Sequence, residues 1–227
     1  EVQTYASITG GRDNYTPVLK TARALNTSED TPITKIDFTA IDLDDDLLTY
    51  SFSNPTKGVV TDNGDSTYTY TPNSNEEGED SFTLTINDGE LSVSQVVSIT
   101  INSVNDTPSV TSSAITSISE DSSYSYTFVG SDPDAGDTLT YSATTLPNWL
   151  SFDTTTGKLT GTPTNDNVGD HDVTLSVTDA GGLSSDQSFT ISVSNTADAP
   201  EVTSTAKTSA SEDTAFSYVF KASDVDA

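Results

Sequence analysis

The chain has no cysteine, no methionine, one tryptophan, one histidine, and only 8 basic residues against 35 acidic ones. Without cysteine there can be no thiol nucleophile, no disulfide staple and no Cys-based zinc site. The formal net charge of −27 repels nucleic acid and anionic lipid, both of which are gripped through clustered Lys and Arg. No apolar run approaches the ~18 residues needed to span a bilayer, and no signal peptide is visible. Because the chain starts without Met and stops inside a repeat, it is expected to be an excised segment, with any export signal or anchor outside it. His171 is flanked by Asp170 and Asp172, but no nucleophile elbow accompanies it, so no Ser-His-Asp triad is expected. No phosphate-cradling loop is present either.

Only 32% of residues are hydrophobic, and with this charge the composition alone would suggest disorder. Their placement says otherwise. Phe82, Leu84 and Ile86 alternate with polar residues, as do Val173, Leu175 and Val177 one repeat later. Val97, Ile99 and Ile101 match Phe189, Ile191 and Val193, and Tyr124, Tyr126 and Phe128 match Phe216, Tyr218 and Phe220. Period-two alternation puts one face of each strand inward and a Ser/Thr face in water. Turn chemistry separates the runs at Asn63-Gly64, Asn87-Asp88-Gly89, Asp134-Ala135-Gly136, Thr156-Gly157 and Gly181-Gly182. The fold class expected is all-β: tandem immunoglobulin-like, seven-stranded β-sandwiches joined end to end.

The units repeat. Pro17, Pro108 and Pro200 lie 91 and 92 residues apart, and each precedes by twelve residues a glutamate in a Ser-Glu-Asp triplet: Glu29, Glu120 and Glu212. An Asp-x-Asp pair follows each: Asp42/Asp44, Asp132/Asp134 and Asp224/Asp226. The expected division is a preceding strand or linker over 1–16, sandwiches over 17–104 and 105–196, and an incomplete third repeat over 197–227. Carboxylates in register across units are what a hard cation with oxygen ligands needs, and calcium is the expected ion. Taken singly, each Asp is an ordinary turn former; the in-register set is what points to a metal. An EF-hand is a poorer alternative: Asp42-x-Asp44-x-Asp46 starts like one, but Leu47 and Ser53 occupy the places of its Gly and bidentate Glu.

These motifs carry a resemblance. Ser119-Glu120-Asp121, Asp132-Pro133-Asp134, the stretch from Leu146 to Asp153, Gly161-Thr162-Pro163 and Val177-Thr178-Asp179-Ala180-Gly181-Gly182 resemble the dystroglycan-type cadherin-like class of bacterial surface adhesins. Asn63-Gly64-Asp65, Tyr68-Thr69-Tyr70-Thr71-Pro72, Gly78-Glu79-Asp80-Ser81-Phe82 and Val104-Asn105-Asp106-Thr107-Pro108 resemble the tandem cadherin-like or VCBS-like repeat. The resemblance implies a non-enzymatic, calcium-binding extracellular stalk or adhesion segment at a bacterial cell surface, associated with the membrane through its parent. Calcium would sit at domain junctions and rigidify the rod. The alternative is a carbohydrate-binding cadherin-like module of a secreted polysaccharide-degrading enzyme. Expected partners are neighbouring repeats of the chain, or cell-surface or matrix glycans; nucleic acid and membrane insertion are not expected.

Loop order names the ligands. Successive loops of a sandwich alternate between its two ends, so Glu120 and the Asp132/Asp134 pair belong to opposite ends, and Asp179 returns to the latter. One junction set is therefore Glu29, Asn105, Asp106, Asp132, Asp134 and Asp179. The next is Glu120, Asn195, Asp198, Asp224 and Asp226, with Asp166 or Asp170 as further candidates. A first set retains Asp42, Asp44 and Asp88, with Tyr15 where an Asp is expected. Trp149, the only tryptophan, offers a ring that can stack on a sugar, but beside Leu150 and Phe152 the favoured reading is a core aromatic.

Overall fold

A computed structural model describes residues 14–20 and 24–226. The expected preceding strand over 1–16 thus lies, up to residue 13, outside the described residues. The chain divides at Asn105/Asp106 into two compact units.

Unit 1 contains β1 (Val18–Leu19), β2 (Ala24–Ser28), β3 (Ile33–Ile36), β4 (Ala40–Ile41), β5 (Thr49–Phe52), β6 (Gly58–Asp62), β7 (Tyr68–Pro72), β8 (Gly78–Asn87) and β9 (Ser92–Asn102). One sheet has the order β2-β9-β8-β5 and the facing one β3-β7-β6, while β1 pairs with β4. Counting β1/β2 and β3/β4 as interrupted halves gives seven strands, the immunoglobulin-like sandwich. β2 runs parallel to β9; the other pairs are antiparallel. Alternation buries Phe82, Leu84 and Ile86 on β8 against Val97, Ile99 and Ile101 on β9, all at most 2% exposed. The register between β3 and β7 slips between Ile33 and Ile36, and Lys35 there takes φ +57°. Such a bulge inserts one residue, which returns Ile36 and Phe38 to the core.

Unit 2 repeats this plan in β10 (Ser109–Val110), β11 (Ser117–Ser119), β12 (Tyr124–Thr127), β13 (Gly130–Ser131), β14 (Thr140–Thr145), β15 (Leu150–Asp153), β16 (Lys158–Gly161), β17 (Gly169–Thr178) and β18 (Ser184–Ser194). Its sheets are β11-β18-β17-β14 and β12-β16-β15, with β10 on β13. A single 3₁₀ turn, Asn165–Asn167, precedes β17. Beyond it, β19 (Glu201–Val202) pairs with β20 (Ala222–Ser223), the same ladder as β10/β13 shifted by 92 residues. Phe216 and Phe220 remain exposed at 54% and 64%, whereas their counterparts Tyr124 and Phe128 are buried beneath the second sheet of unit 2.

The two cores solve one packing problem in opposite ways. In unit 1, Tyr70 of β7 fills the space over Gly58, where an added Cβ would lie 2.6 Å from the Tyr70 ring and hydroxyl. In unit 2 the ring and the glycine change strands: Gly161 of β16 takes the register place of Tyr70, and the ring is Trp149, just ahead of β15. A Cβ at Gly161 would lie 2.2 Å from the Trp149 carbonyl oxygen. Each unit therefore pairs one large ring with one glycine across neighbouring strands, because close-packed interiors leave no room for two rings.

Candidate metal centre

The Ser-Glu-Asp triplet is a turn. Thr31, Ser122 and Thr214 N–H donate back to Ser28, Ser119 and Ser211 carbonyls at 3.3, 3.3 and 3.4 Å. The third residues of these turns, Asp30, Asp121 and Asp213, have φ of +54°, +59° and +61°. A positive φ at that position is what a type II turn demands, and Asp tolerates it better than most residues. The turn leaves the preceding glutamate pointing inward in both complete repeats. Glu29 is 5% exposed and Glu120 2%. Their backbones are fixed by N–H bonds to Asn102 O at 2.9 Å and Ser194 O at 3.0 Å. Each carboxylate then captures a backbone N–H just past its last strand: Val104 to Glu29 Oε1 and Thr196 to Glu120 Oε1, both at 2.6 Å.

The Asp-x-Asp pairs have an equally regular geometry. The second Asp N–H donates to the first Asp Oδ1 at 2.9 Å in all three repeats: Asp44 to Asp42, Asp134 to Asp132, Asp226 to Asp224. The second carboxylate accepts a backbone N–H from the segment ahead of its repeat: Tyr15 to Asp44, Asp106 to Asp134 at 2.8 Å, Asp198 to Asp226. Because a backbone N–H serves, Tyr15 makes this contact as well as an aspartate would.

Asp88 and Asp179, at 8% and 5% exposure, open the β8–β9 and β17–β18 hairpins. Asp88 Oδ1 accepts from Glu90 and Leu91 N–H at 2.8 and 2.6 Å, and Asp179 Oδ1 from Leu183 N–H at 2.8 Å. Burial pushes the Asp88 carboxyl up, but the Leu91 and Glu90 amides outweigh it and hold it below the usual carboxylate range. Within unit 2 the Ala180 N–H reaches Asp137 Oδ2 at 3.4 Å, so the hairpin carrying Asp179 lies at the Asp132 end.

Several acidic groups converge. One carboxylate oxygen from each of Glu120, Asp198 and Asp226 lies within 4.8 Å of the others, as do those of Asp132, Asp134 and Asp137, and of Asp42, Asp44 and Asp46. Asn195 Nδ2 donates to Asp226 Oδ1 at 3.1 Å. Asp166 and Asp170 stay exposed; it is Asn165, beside Asp166, whose Nδ2 reaches Asp226 Oδ1 at 3.4 Å. Asp46 and Asp137 were not singled out as ligands from the sequence, although they stand 91 residues apart and the repeat could have found them. Asn105, between Val104 and Asp106, is exposed.

The donor set fits a hard cation. Glu120 Oε2, Asp132 Oδ2, Asp42 Oδ2 and Asp88 Oδ2 are sealed from solvent and have no hydrogen-bond partner among the described residues. Two such charges 4.8 Å apart repel by about 1 kcal/mol in water and about 3.5 kcal/mol at an effective dielectric near 20. Anionic oxygens gathered in this way are the ligands calcium takes, usually six to eight of them. Trp149 has no part in these clusters. It packs edge-on against Tyr124 at 6.0 Å and His171 at 5.8 Å, and His171 Nε2 bonds the Asn167 carbonyl at 2.6 Å.

A family model described as "Bacterial cadherin-like domain" matches residues 14–103, and one described as "Putative Ig domain" matches residues 107–194. No curated protein matches the chain. Among solved structures it is similar to human CDH23 EC21-23, at 20% identity and TM-score 0.56, over 89% of this chain and 83% of that one. Human Protocadherin-24 EC1-2 is similar at 21% identity and TM-score 0.52, over 79% of this chain and 99% of that one. An endo-fucoidan hydrolase of glycoside hydrolase family 107 shares 27% identity at TM-score 0.38; the match covers 86% of this chain but spans only 31% of the hydrolase. Among the described residues no helix is long and apolar enough to cross a membrane. The chain thus carries a bacterial cadherin-like domain followed by an immunoglobulin-type one, built as tandem β-sandwiches of the cadherin kind.

Proposed function

We propose that this chain is a calcium-binding segment of the extracellular stalk of a bacterial surface adhesin, in which Ca²⁺ held where repeats meet stiffens the rod. Its work is mechanical and not catalytic. The observation that carries the reading is Glu120. This carboxylate is 2% exposed, with one oxygen bound to the Thr196 N–H and the other without a partner among the described residues. Oxygens of Asp198 and Asp226 complete a group spanning under 4.8 Å. An uncompensated buried charge is costly, and a bound divalent ion would offset it. Glu120, Asn195, Asp198, Asp224 and Asp226 would hold the ion, with Asn165 supporting Asp226. By the repeat period, Glu29, Asn105, Asp106, Asp132, Asp134 and Asp179 take the same parts at the preceding junction. Asp42, Asp44 and Asp88 form the earliest set.

Calcium, when bound, supplies the positive charge that lets these carboxylates stay ionised at close range. The chain's own residues do the ordering. Each glutamate ties the strand end to its linker through the Val104 or Thr196 amide. Small-angle scattering with calcium and with chelator tests this. The expected result is a longer, stiffer particle with calcium, and loss of the difference when Asp132 and Asp134 are both replaced by Ala. Identical scattering under the two conditions would sink the proposal.

A further inference from the structure

Unit 1 also has an open cleft at the edge of its sandwich, between β5 and β6. The larger of two adjoining cavities is about 540 Å³ and includes Phe52 and Val60. The other is about 450 Å³, lined by Tyr50, Tyr68, Asp37, Asp62 and Ser66; Asp62 belongs to both walls. Both volumes lie within the roughly 300–1,000 Å³ typical of small-ligand sites. The Tyr50 and Tyr68 rings stand 6.3 Å apart, with Phe52 packed against Tyr68 at 4.6 Å.

The two tyrosine hydroxyls are unlike those of the other core tyrosines. Tyr70 donates to Asp80, Tyr124 to the Ile115 carbonyl and Tyr126 to Gln187, and Tyr141 accepts from the Gly130 N–H. Tyr50 and Tyr68 make no such bond among the described residues, though neither is fully exposed and Tyr68 is 6% exposed. Both residues line the smaller cavity. Asp62 spends Oδ1 on the Gly64 N–H at 2.8 Å and keeps Oδ2 for a ligand. Unit 2 fills the equivalent positions differently: Leu159, fully buried, replaces Tyr68, Ala143 replaces Phe52, and the Tyr141 hydroxyl accepts from Gly130.

We propose that the Tyr50–Tyr68–Asp62 cavity of unit 1 binds a neutral pyranose unit of a glycan. The partly exposed Tyr50 ring suits the C–H surface of a sugar, while Tyr68, packed into the core against Phe38 and Phe52, contributes its hydroxyl. Carboxylates accept from sugar hydroxyls, while tyrosyl and seryl hydroxyls both donate and accept, which matches a ligand whose every hydroxyl does both. Asp37 and Asp62, within a chain of net charge −27, reject sulfated and uronic sugars. An organic cation is the competing guest, since carboxylates and aromatic rings both attract it, but it makes no use of the tyrosyl and seryl hydroxyls; tetramethylammonium is therefore the decisive comparator. Burial first, then the Asp62 charge, raises the Tyr68 pKa, so its hydroxyl remains a donor at neutral pH.

The test is saturation-transfer NMR on the full chain with methyl α-glucopyranoside, methyl β-galactopyranoside and methyl α-mannopyranoside. Glucuronate and tetramethylammonium serve as charged comparators. At least one neutral glycoside should receive saturation, with at least tenfold weaker binding in Tyr50→Ala and in Asp62→Ala, the latter altering an exposed side chain. The charged comparators should neither bind there nor compete. Absence of transfer to all three glycosides, transfer unchanged in both variants, or displacement by tetramethylammonium would each overturn the assignment. Running every arm with calcium and with chelator separates this outcome from the stalk reading, since the cavity shares no residue with the acidic clusters.

Discussion

The Thr196 N–H donates to Glu120 Oε1 at 2.6 Å, so the backbone leaving the second repeat is held by a carboxylate that the same repeat has buried. The Val104–Glu29 pair repeats the contact at the same distance. A hydrogen bond to an ionised acceptor is worth about 1.5–3 kcal/mol, enough to order a linker residue but not to compensate a second, unpartnered oxygen.

Glu120→Gln separates these two roles. The amide still accepts from Thr196 but removes the charge. In chelator the variant should be no less stable than the parent. In calcium the parent should gain stability, about 2.7 kcal/mol at a hundredfold excess over the dissociation constant, while the variant gains little. Thermal unfolding followed by fluorescence or calorimetry reads both; equal calcium shifts in the two proteins would remove Glu120 from the ligand set.

Unit 1 should lose stability in acid through one identifiable pair. Tyr70 donates to Asp80 Oδ2 at 2.7 Å, and Thr56 and Lys57 N–H add bonds at 3.0 and 3.1 Å. Burial pushes the Asp80 carboxyl up, but the Tyr70 hydroxyl and the backbone donors outweigh it and hold it low. Burial and the Asp80 charge in turn raise the Tyr70 phenol. A carboxylate with a depressed folded pKa stabilises fully above its unfolded value near 3.9, and that contribution disappears as pH falls through the folded value. Asp80→Asn should flatten the acid limb of unit 1 stability. Tyr70→Phe should cost about 1–3 kcal/mol at neutral pH by leaving a buried acceptor short of a donor. Unit 2 has His171 in the place of Asp80, and urea titrations from pH 3 to 7 should show its transition lacking this component.

The exchange of ring and glycine between the units makes a paired prediction. Gly161→Ala drives a Cβ to 2.2 Å from a backbone oxygen, and Gly58→Ala drives one to 2.6 Å from both a backbone oxygen and the Tyr70 ring. Overpacking of this kind costs typically 1–3 kcal/mol. Each substitution should lower the unfolding midpoint of its own unit only. Both added Cβ atoms meet a main-chain oxygen, Thr71 O for Gly58 and Trp149 O for Gly161, so trimming the Tyr70 ring, which also removes its bond to Asp80, should not rescue Gly58→Ala.

Alternation made the strands legible, because a two-residue period has one solution once a face is buried. The Ser-Glu-Asp turn and the Asp-x-Asp pair were legible as spacing, because the same backbone is built three times. Lys35 was not: an inserted residue breaks the period locally, and the register slip there, with Ile36 and Phe38 buried beyond it, is visible only in the structure. The Tyr70–Asp80 bond and the Trp149/Gly161 exchange were also out of reach, since they depend on which strands become neighbours. Asn165 was not legible as a partner of Asp226, because the link spans 61 positions and Asn165 lies outside the linker spacing that marks Asn105 and Asn195. Asp137 had its counterpart Asp46 one period earlier, yet the two-residue spacing of the pair drew attention away from a third carboxylate.

Asp137 offers the sharpest test of whether its cluster is a cation site or merely solvated charge. Its oxygen lies within 4.8 Å of those of Asp132 and Asp134, and its carboxylate also accepts from the Thr138 N–H at 2.5 Å and the Ala180 N–H at 3.4 Å. Asp137→Asn keeps an acceptor oxygen but removes one of three like charges. Without a cation the change should stabilise unit 2, by about 2 kcal/mol if the two repulsions it removes are each screened as in water. With calcium the same change should destabilise it relative to the parent, because a ligand charge is lost. The sign of the effect must therefore reverse between chelator and calcium. A purely solvated cluster predicts stabilisation under both conditions, and a turn-forming role for Asp137 predicts destabilisation under both.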